Sequence, residues 1–296
     1  MTSLTPTPYT PAPLRVAEAS DDAGLVALWV AKRTKPTTAA QYRRVGRRLL
    51  AWLTAEGLTL RSLTFGQLLA FQATLATLAP SSQKAYLSAT KSLLTFGQRT
   101  GYLALNVGAA LELPSVRDAL AERISTEEAI LKMLALETDA RKHLIIRMVY
   151  AGGVRVSELV ALRWRDAVAR GDAGQITVLG KGGKTRAVLL TAATWKELQA
   201  SRPADAVPDA PMFVTRTGKA VDRYWVTKMI KAAAARAGLP DDFSAHWLRH
   251  AHASHALDRG APISLVKETL GHADVSTTGR YLHARPERSS SEYLPI

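Results

Sequence analysis

The chain of 296 residues contains no cysteine, so it can form neither a disulfide nor a thiolate zinc site. No run of about 18 apolar residues free of charge occurs, and no transmembrane helix is therefore indicated. The N-terminus lacks the basic-then-apolar pattern of a secretory signal, and its prolines and threonines predict a disordered tail over residues 1–20. These absences are typical of a cytoplasmic protein.

Acidic residues are scarce in the N-terminal third of the chain. Residues 31–100 contain eleven Lys or Arg but a single acid, Glu56, while the whole chain carries a formal net charge of +14. A concentration of positive charge of this size indicates a polyanionic partner. Two other interpretations stay open, a solvated basic face and binding to an anionic membrane, although no bulky apolar face beyond a core is evident.

Residues 21–112 have a helical pattern throughout. In its clearest stretch, apolar residues recur at spacings of three and four and so share one helix face: Tyr42, Val45, Leu49, Trp52 and Leu53. Arginines on the other face pair at i,i+4, Arg43 with Arg47 and Arg44 with Arg48. Like charges at that spacing repel by roughly a few tenths of a kcal/mol, so a partner's negative charge is expected to compensate. A second helix is predicted from a Ser81–Ser82 N-cap to Thr100–Gly101, with Lys84 and Lys91 on one face.

Residues 113–124 are predicted to be a linker, and a mixed domain follows over residues 125–285. A Ser or Thr cap followed by acids, Ser125-Thr126-Glu127-Glu128, favours a helix start there. Two β-branched stretches at 175–179 and 185–190 flank Gly180-Lys181-Gly182-Gly183-Lys184 and predict a β-hairpin. The predicted helices of this domain cover about 126–137, 140–151, 156–162, 222–237, 245–259, 263–270 and 276–284.

Four short stretches, far apart in sequence, contain residues suited to phosphate chemistry. They are Gly-Val-Arg155-Val-Ser-Glu158-Leu, Gly-Lys181-Gly-Gly-Lys-Thr-Arg, His246-Trp-Leu-Arg249-His250, and Leu-Gly-His272 with Tyr281 nine residues on. Together they supply cations for a phosphate, proton donors for a leaving oxygen, and a nucleophile. The ordered set is typical of transesterification at a DNA phosphodiester through a phosphotyrosine.

Two other interpretations of these motifs fit less well. Gly180-Lys-Gly-Gly-Lys-Thr185 lacks the first glycine of a P-loop, since residue 178 is Val, and a strand follows where a P-loop needs a helix. His246 and His250 at i,i+4 could hold a metal, but Arg249 would lie beside the cation. His246 and Arg249 at i,i+3 can instead meet one phosphate. We expect His250, His252 and His255 to be packing or supporting residues.

On these motifs the chain resembles the tyrosine recombinases, or phage integrase family, which include the Xer-type chromosome-resolution enzymes. The resemblance covers most of the chain and is most specific in the catalytic domain. It implies a mainly α fold with a small β-sheet in an α+β catalytic domain, preceded by an all-α, SAM-like core-binding domain over residues 21–112. The two domains of this family close on DNA as a C-shaped clamp.

The resemblance also implies a role for each residue. Tyr281 would attack the scissile phosphate and stay on its 3′ side, Arg155 and Arg249 would clamp the non-bridging oxygens, and Glu158 would support them. Lys181 would be the general acid, His246 would accept the tyrosine proton, and His272 would hydrogen-bond the phosphate. The DNA-binding candidates of the N-terminal domain are Arg43, Arg44, Arg47, Lys84 and Lys91. Neither a metal nor another cofactor is expected, because the arginines replace the metal and the phosphotyrosine conserves the bond energy.

The implied partners are double-stranded DNA carrying a specific recombination site and three further copies of the chain, forming a homotetramer that exchanges strands through a Holliday junction. A second recombinase or an accessory protein is a further candidate partner. Within residues 286–296, Leu294 and Ile296 are candidates for docking on a neighbouring subunit. A type IB topoisomerase and a non-catalytic DNA-binding protein remain alternatives, and the expected location is the cytoplasm, in association with the nucleoid.

Overall fold

The computed structural model describes residues 19–117, 120–180 and 183–271, together with Thr278 and Tyr281. The chain divides into two compact units, one ending at Arg117 and the other beginning at Asp118. This division falls inside the stretch 113–124. Across the described ranges, every helix is too short or too polar to span a membrane.

The first unit is helical. Its described helices are α1 (Asp22–Ala31), α2 (Pro36–Ala55), α3 (Phe65–Ala73) and α4 (Pro80–Arg99). Helix α4 ends at Arg99, next to the predicted end at Thr100–Gly101. Gly101, at φ 74°, takes the left-handed conformation that suits glycine and turns the chain out of the helix.

The apolar face predicted for α2 forms part of the core of this unit. Val45, Leu49 and Leu53 are buried, and the Tyr42 ring lies 4.4 Å from that of Trp29 on α1. Gly46 lets α1 and α2 approach closely, since a Cβ at this position would lie 2.5 Å from Val26 Cγ1. The helical periodicity of the sequence therefore identified the buried side of α2 correctly.

The N-cap predicted for α4 was wrong, although the helix starts close to the predicted position. The helix begins at Pro80, and its N-cap is Ala79, which makes no side-chain capping bond. Proline suits the first helical position because its φ is already helical. It lacks a backbone N–H, but an N–H at this position would have no hydrogen-bond partner within the helix. Ser81 and Ser82 consequently lie within the first turn.

The second unit combines helices with a small sheet. Its described elements, in order, are α5 (Glu127–Ala135), α6 (Ala140–Ala151), α7 (Val156–Leu159), β1 (Ala167–Arg170), β2 (Ala173–Leu179), β3 (Thr185–Leu190), α8 (Ala192–Ala200), α9 (Arg223–Ala237), α10 (Ala245–Asp258) and α11 (Ile263–Leu270). Strand β1 and helix α8 were not predicted, and α7 is shorter than the expected 156–162. The Thr126 side chain caps α5 by accepting from Ala129 N–H. The helix predicted over 276–284 lies outside the described residues, apart from Thr278 and Tyr281.

The strands form an antiparallel sheet in the order β1-β2-β3. Ile176 pairs with both Ala167 and Val188 in the register, and alternate residues of β2 and β3 point into the core of the unit. Strands β2 and β3 pair as the predicted hairpin, and the Gly180 N–H donates to Lys184 O at 2.7 Å beyond the paired residues. The fold class, mainly α with a small β-sheet, is therefore confirmed.

Candidate active site

Five of the predicted catalytic and supporting residues lie in described parts of the second unit: Arg155, Glu158, His246, Arg249 and Tyr281. Lys181 and His272 fall outside the described residues. Gly180 and Gly271, which precede them, are described. Gly180 lies next to Glu158, since a Cβ at Gly180 would be 3.8 Å from Glu158 Oε1.

Glu158 is the buried centre of an arginine cluster. Arg155 precedes α7, and its backbone N–H donates to Glu158 Oε2 at 2.9 Å while its Nη1 donates to Oε1 at 2.8 Å. Arg186, on β3, donates from Nη1 to Oε1 at 3.0 Å and from Nη2 to Oε2 at 2.8 Å. Burial raises the pKa of Glu158, but the bonds from Arg186 and Arg155 outweigh it and lower this pKa to about 2. The carboxylate therefore stays ionised and fixes both guanidinium groups.

Arg186 extends this cluster to the end of α11. Its Nε donates to Thr269 O at 2.7 Å, and a Cβ at Gly271 would lie 3.0 Å from Arg186 Cδ. Sequence reasoning gave Arg186 no role. The available signal was the alternation of β3, which puts Arg186 on the same inward face as Val188 and Leu190, where an arginine needs an acidic partner.

Arg249 is buried in α10, only 4% exposed, and it connects three segments. Its Nη1 donates to Gly153 O and its Nη2 donates to Leu270 O. Gly153 sits at φ 56°, and a Cβ there would approach Leu270 Cδ2 to 2.8 Å. Only glycine gives this close approach of the carbonyl. Burial, and then the charge of Arg155, lower the pKa of Arg249 to about 9, which leaves it protonated at neutral pH.

A groove of about 620 Å³ brings Arg155, His246 and Arg249 together. The first residue comes from the start of α7, and the other two come from the first turns of α10, one turn apart. Burial lowers the pKa of His246, and the charges of Arg249 and Arg155 lower it further. His246 is consequently neutral at pH 7, and the two arginines give the groove the positive charge that a phosphate requires.

Tyr281 packs into an apolar cluster beside this groove. It is 5% exposed and belongs to a cluster with Ala253, Val266 and Leu270, among others. Its Oη lies 2.6 Å from His250 Nδ1, and the two rings are 5.7 Å apart. His250 in turn stacks with His246 at a ring separation of 6.3 Å. Sequence reasoning treated His250 as a packing or supporting residue, and nothing in the spacing pointed to its contact with the nucleophile candidate.

The remaining histidines of α10 bind backbone carbonyls of neighbouring segments. His252 Nδ1 donates to Tyr150 O at 2.8 Å, and burial lowers the pKa of His252 to about 4. His255 Nε2 donates to Ser125 O at 3.0 Å, while its Nδ1 lies 2.9 Å from the Tyr150 hydroxyl. Within the described residues, His, Asp and Glu form no group of three or more that could hold a metal ion.

The basic candidates of the first unit differ in their surroundings. Arg43, Arg44, Arg47 and Lys84 are exposed, and Arg44 lies over the Tyr86 ring at 5.8 Å. Lys91 is half-buried, and its amino group donates to Ala109 O at 3.1 Å and to Leu111 O.

The second arginine pair of α2 also has an internal contact. Arg48 lies 5.4 Å from the centre of the Tyr86 ring and donates to Thr74 O at 3.0 Å. Part of the repulsion between Arg44 and Arg48 is therefore offset within the unit, by the ring they share.

Comparison with known proteins identifies the family of this chain. The model of the phage integrase family matches residues 123–288. A tyrosine recombinase XerC of Xanthomonas campestris pv. campestris (strain B100) is 33% identical over 267 residues, which cover 88% of this chain and 82% of the relative. The chain belongs to the phage integrase family of tyrosine recombinases.

Solved structures share the fold. A complex of the XerH site-specific recombinase with palindromic difH substrate, after cleavage, matches with a TM-score of 0.74 and 22% identity, covering 93% of this chain and 85% of XerH. A lambda integrase tetramer bound to a Holliday junction matches with a TM-score of 0.70 and 17% identity, covering 87% of this chain and 79% of the integrase.

Proposed function

We propose that this chain is a site-specific DNA recombinase that cuts and rejoins strands through a 3′-phosphotyrosyl intermediate on Tyr281. The observation that carries the proposal is the single groove lined by Arg155, His246 and Arg249, with Tyr281 packed beside it and joined to it through the ring of His250. Cations and a nucleophile from distant parts of the sequence meet there, as phosphoryl transfer requires.

The arginines of the groove stabilise the transition state of the transfer. Arg155 has a 30% exposed side chain and retains N–H groups that can donate to a non-bridging phosphate oxygen. Arg249 contributes a buried positive charge, which acts strongly because little water screens it. Glu158 holds Arg155 in place, and the carbonyls of Gly153 and Leu270 hold Arg249, so the charges need not reorganise when the phosphorane forms.

Two further roles rest on the family resemblance. Lys181 follows Gly180 in the sequence, and we assign to it the role of the general acid that protonates the 5′-oxygen as it leaves. The position of Gly180 next to Glu158 supports this assignment, because it brings the strand end to the arginine cluster. We assign His272 a hydrogen bond to the phosphate.

The first unit binds DNA mainly by contacting the phosphate backbone of the duplex. Arg43, Arg47 and Lys84 are exposed and basic, and contacts of this kind go to phosphates and position the duplex. Lys91 is less suited to this task, since its amino group is already bound to two backbone carbonyls. The second unit supplies the chemistry.

The active assembly is a homotetramer on two duplexes, which exchanges strands in pairs through a Holliday junction. The tetrameric lambda integrase complex, whose fold this chain shares, supports that arrangement. The 5′-hydroxyl of a partner strand attacks the phosphotyrosine and reverses the first step. The reaction therefore needs no external energy source.

The test is to capture covalent protein–DNA adducts from cells that express the protein and to sequence the attached ends, with Tyr281→Phe as the control. Adducts at one or a few sites, absent from the control, are expected. Scattered adducts with efficient relaxation of a plasmid lacking those sites would indicate a type IB topoisomerase instead. DNA binding without any adduct would indicate a non-catalytic DNA-binding protein.

A further inference from the structure

The hydroxyl of Tyr281 is engaged by a histidine that the resemblance does not assign to the reaction. His250 Nδ1 lies 2.6 Å from Tyr281 Oη, at the short end of hydrogen-bond distances for these atoms. The tyrosine is 5% exposed, so this contact is shielded from bulk water. His250 therefore touches the atom that attacks the phosphate.

His246 has different surroundings. It lines the groove with Arg155 and Arg249, where a phosphate would lie, and its ring is 6.3 Å from that of His250. The two histidines sit one turn apart on α10, one turned to the groove and the other to the nucleophile. In this arrangement His246 is placed to contact the phosphate, and His250 is placed to accept the phenolic proton.

A neutral histidine is suited to receive the proton. An imidazole with its hydrogen on Nε2 has a free lone pair on Nδ1, and the phenol can donate to it. Phenols have a pKa near 10 and imidazoles near 6.5, so transfer is uphill at rest and becomes favourable only as Oη bonds to phosphorus. Tyr281 also lies close enough to Arg249 for the two charges to interact, which favours the phenolate.

We propose that His250, and not His246, is the base that accepts the Tyr281 proton, an inference that rests on the proposed recombinase function. As the Oη–P bond forms and the P–O5′ bond breaks, the phenolic proton moves to His250 Nδ1. The 5′-oxygen takes its proton from the general acid. When a 5′-hydroxyl later attacks the phosphotyrosine, His250 returns the proton to Oη and becomes neutral again.

The experiment measures the rate of adduct formation on a nicked duplex oligonucleotide that carries the site mapped by adduct sequencing. His250→Asn retains a polar atom near the position of Nδ1 but cannot take up a proton. We expect it to slow adduct formation by about 10²–10⁴-fold while far-UV circular dichroism and DNA affinity stay as in the parent. His250→Gln is a second variant for the same measurement.

Fluorinated tyrosine at position 281 shows whether His250 acts as a base or only packs against the tyrosine. A fluorinated phenol is more acidic and depends less on a base to ionise, so it should restore most of the rate to His250→Asn and have little effect in the parent. Adduct formation at the parent rate in His250→Asn would overturn the proposal. A slow variant that fluorotyrosine does not rescue would also overturn it, as would a rescue that appears in His246→Asn instead.

The unaltered protein gives an independent check. In nitrogen-15 NMR spectra of labelled histidine, His250 should show a hydrogen on Nε2 and an unprotonated Nδ1 at neutral pH. A hydrogen on Nδ1 would contradict the role, whatever the variants do. If the parent itself makes no adduct with any DNA, the recombinase function fails, and this outcome is distinct from a failure of His250.

Discussion

The guanidinium of Arg186 spans the carboxylate of Glu158, with Nη1 at 3.0 Å from Oε1 and Nη2 at 2.8 Å from Oε2. This parallel pair joins β3 to α7, and the bond from Arg186 Nε to Thr269 O adds the end of α11. Because Arg155 shares the same carboxylate, one buried acid positions a groove arginine and connects the segments that surround it.

Glu158→Gln should destabilise the fold. The amide presents an N–H₂ group to one guanidinium and leaves buried positive charge uncompensated, which costs about 3–5 kcal/mol of unfolding free energy. Urea denaturation at pH 7 measures this loss. Glu268→Gln, at an exposed position of α11, is the matched control and should change the stability by less than roughly 0.5 kcal/mol. Equal stability of the two variants would contradict the role of Glu158.

Arg155→Ala and Arg249→Ala should affect cleavage alike but stability differently. Each should lose about 2–4 kcal/mol of transition-state stabilisation, by analogy with lost oxyanion donors, which single-turnover adduct formation measures. Arg249→Ala also strips the donors from two buried carbonyls, Gly153 O and Leu270 O, at a cost of roughly 1–3 kcal/mol each. Its melting temperature should therefore fall well below that of Arg155→Ala. Similar melting temperatures would argue against the structural role of Arg249.

Stability should decrease between neutral and mildly acidic pH because of His252. Its pKa is about 4 in the folded chain and near 6.5 in an unfolded one, so the unfolded chain binds more protons between these values. The neutral histidine contributes its full stability above pH 6.5 and loses it as the pH falls towards 4. Between pH 7 and pH 5 the loss is roughly 2 kcal/mol.

Urea denaturation at the two pH values, on the parent and on His252→Asn, tests this origin. The asparagine retains an N–H donor for Tyr150 O and does not titrate, so its pH dependence should be smaller. An unchanged slope would place the titration on other groups, and His246 is the first to examine because its pKa is also lowered by burial.

DNA affinity should depend steeply on salt through the first unit. Replacing both Arg43 and Arg47 by Gln removes two exposed cations of α2 and should reduce the slope of log K against log salt by about 2, one for each lost phosphate contact. Lys91→Gln is the internal control, since its amino group is bound to Ala109 O and Leu111 O. It should alter the melting temperature more than the salt slope.

The sequence predicted the elements whose periodicity or capping is strong and missed those decided by tertiary contacts. The buried face of α2, the Thr126 cap and the hairpin strands were correct because their signals are local. Strand β1, Ala-Val-Ala-Arg, is short and has one β-branched residue, so its pairing with β2 determines it. Helix α8 was missed although Thr191 caps it by accepting from Thr194 N–H.

The site shows the same division. Its ordered motifs named Arg155, His246 and Arg249, which the fold brings to one groove. Spacing could not show that Arg186 would join Glu158 across 28 residues, or that His250 would meet Tyr281 across 31. Those contacts depend on how α10, α11 and β3 pack, and the spacing of residues along the sequence does not determine this packing.

Arg249 binds carbonyls that lie 96 residues before it and 21 residues after it. A chain that is still being synthesised therefore has no finished phosphate site until Leu270 has emerged and packed against the Gly153 turn. Completion of the fold thus acts as a safeguard, since a partly folded molecule does not yet hold Arg249 in its buried position.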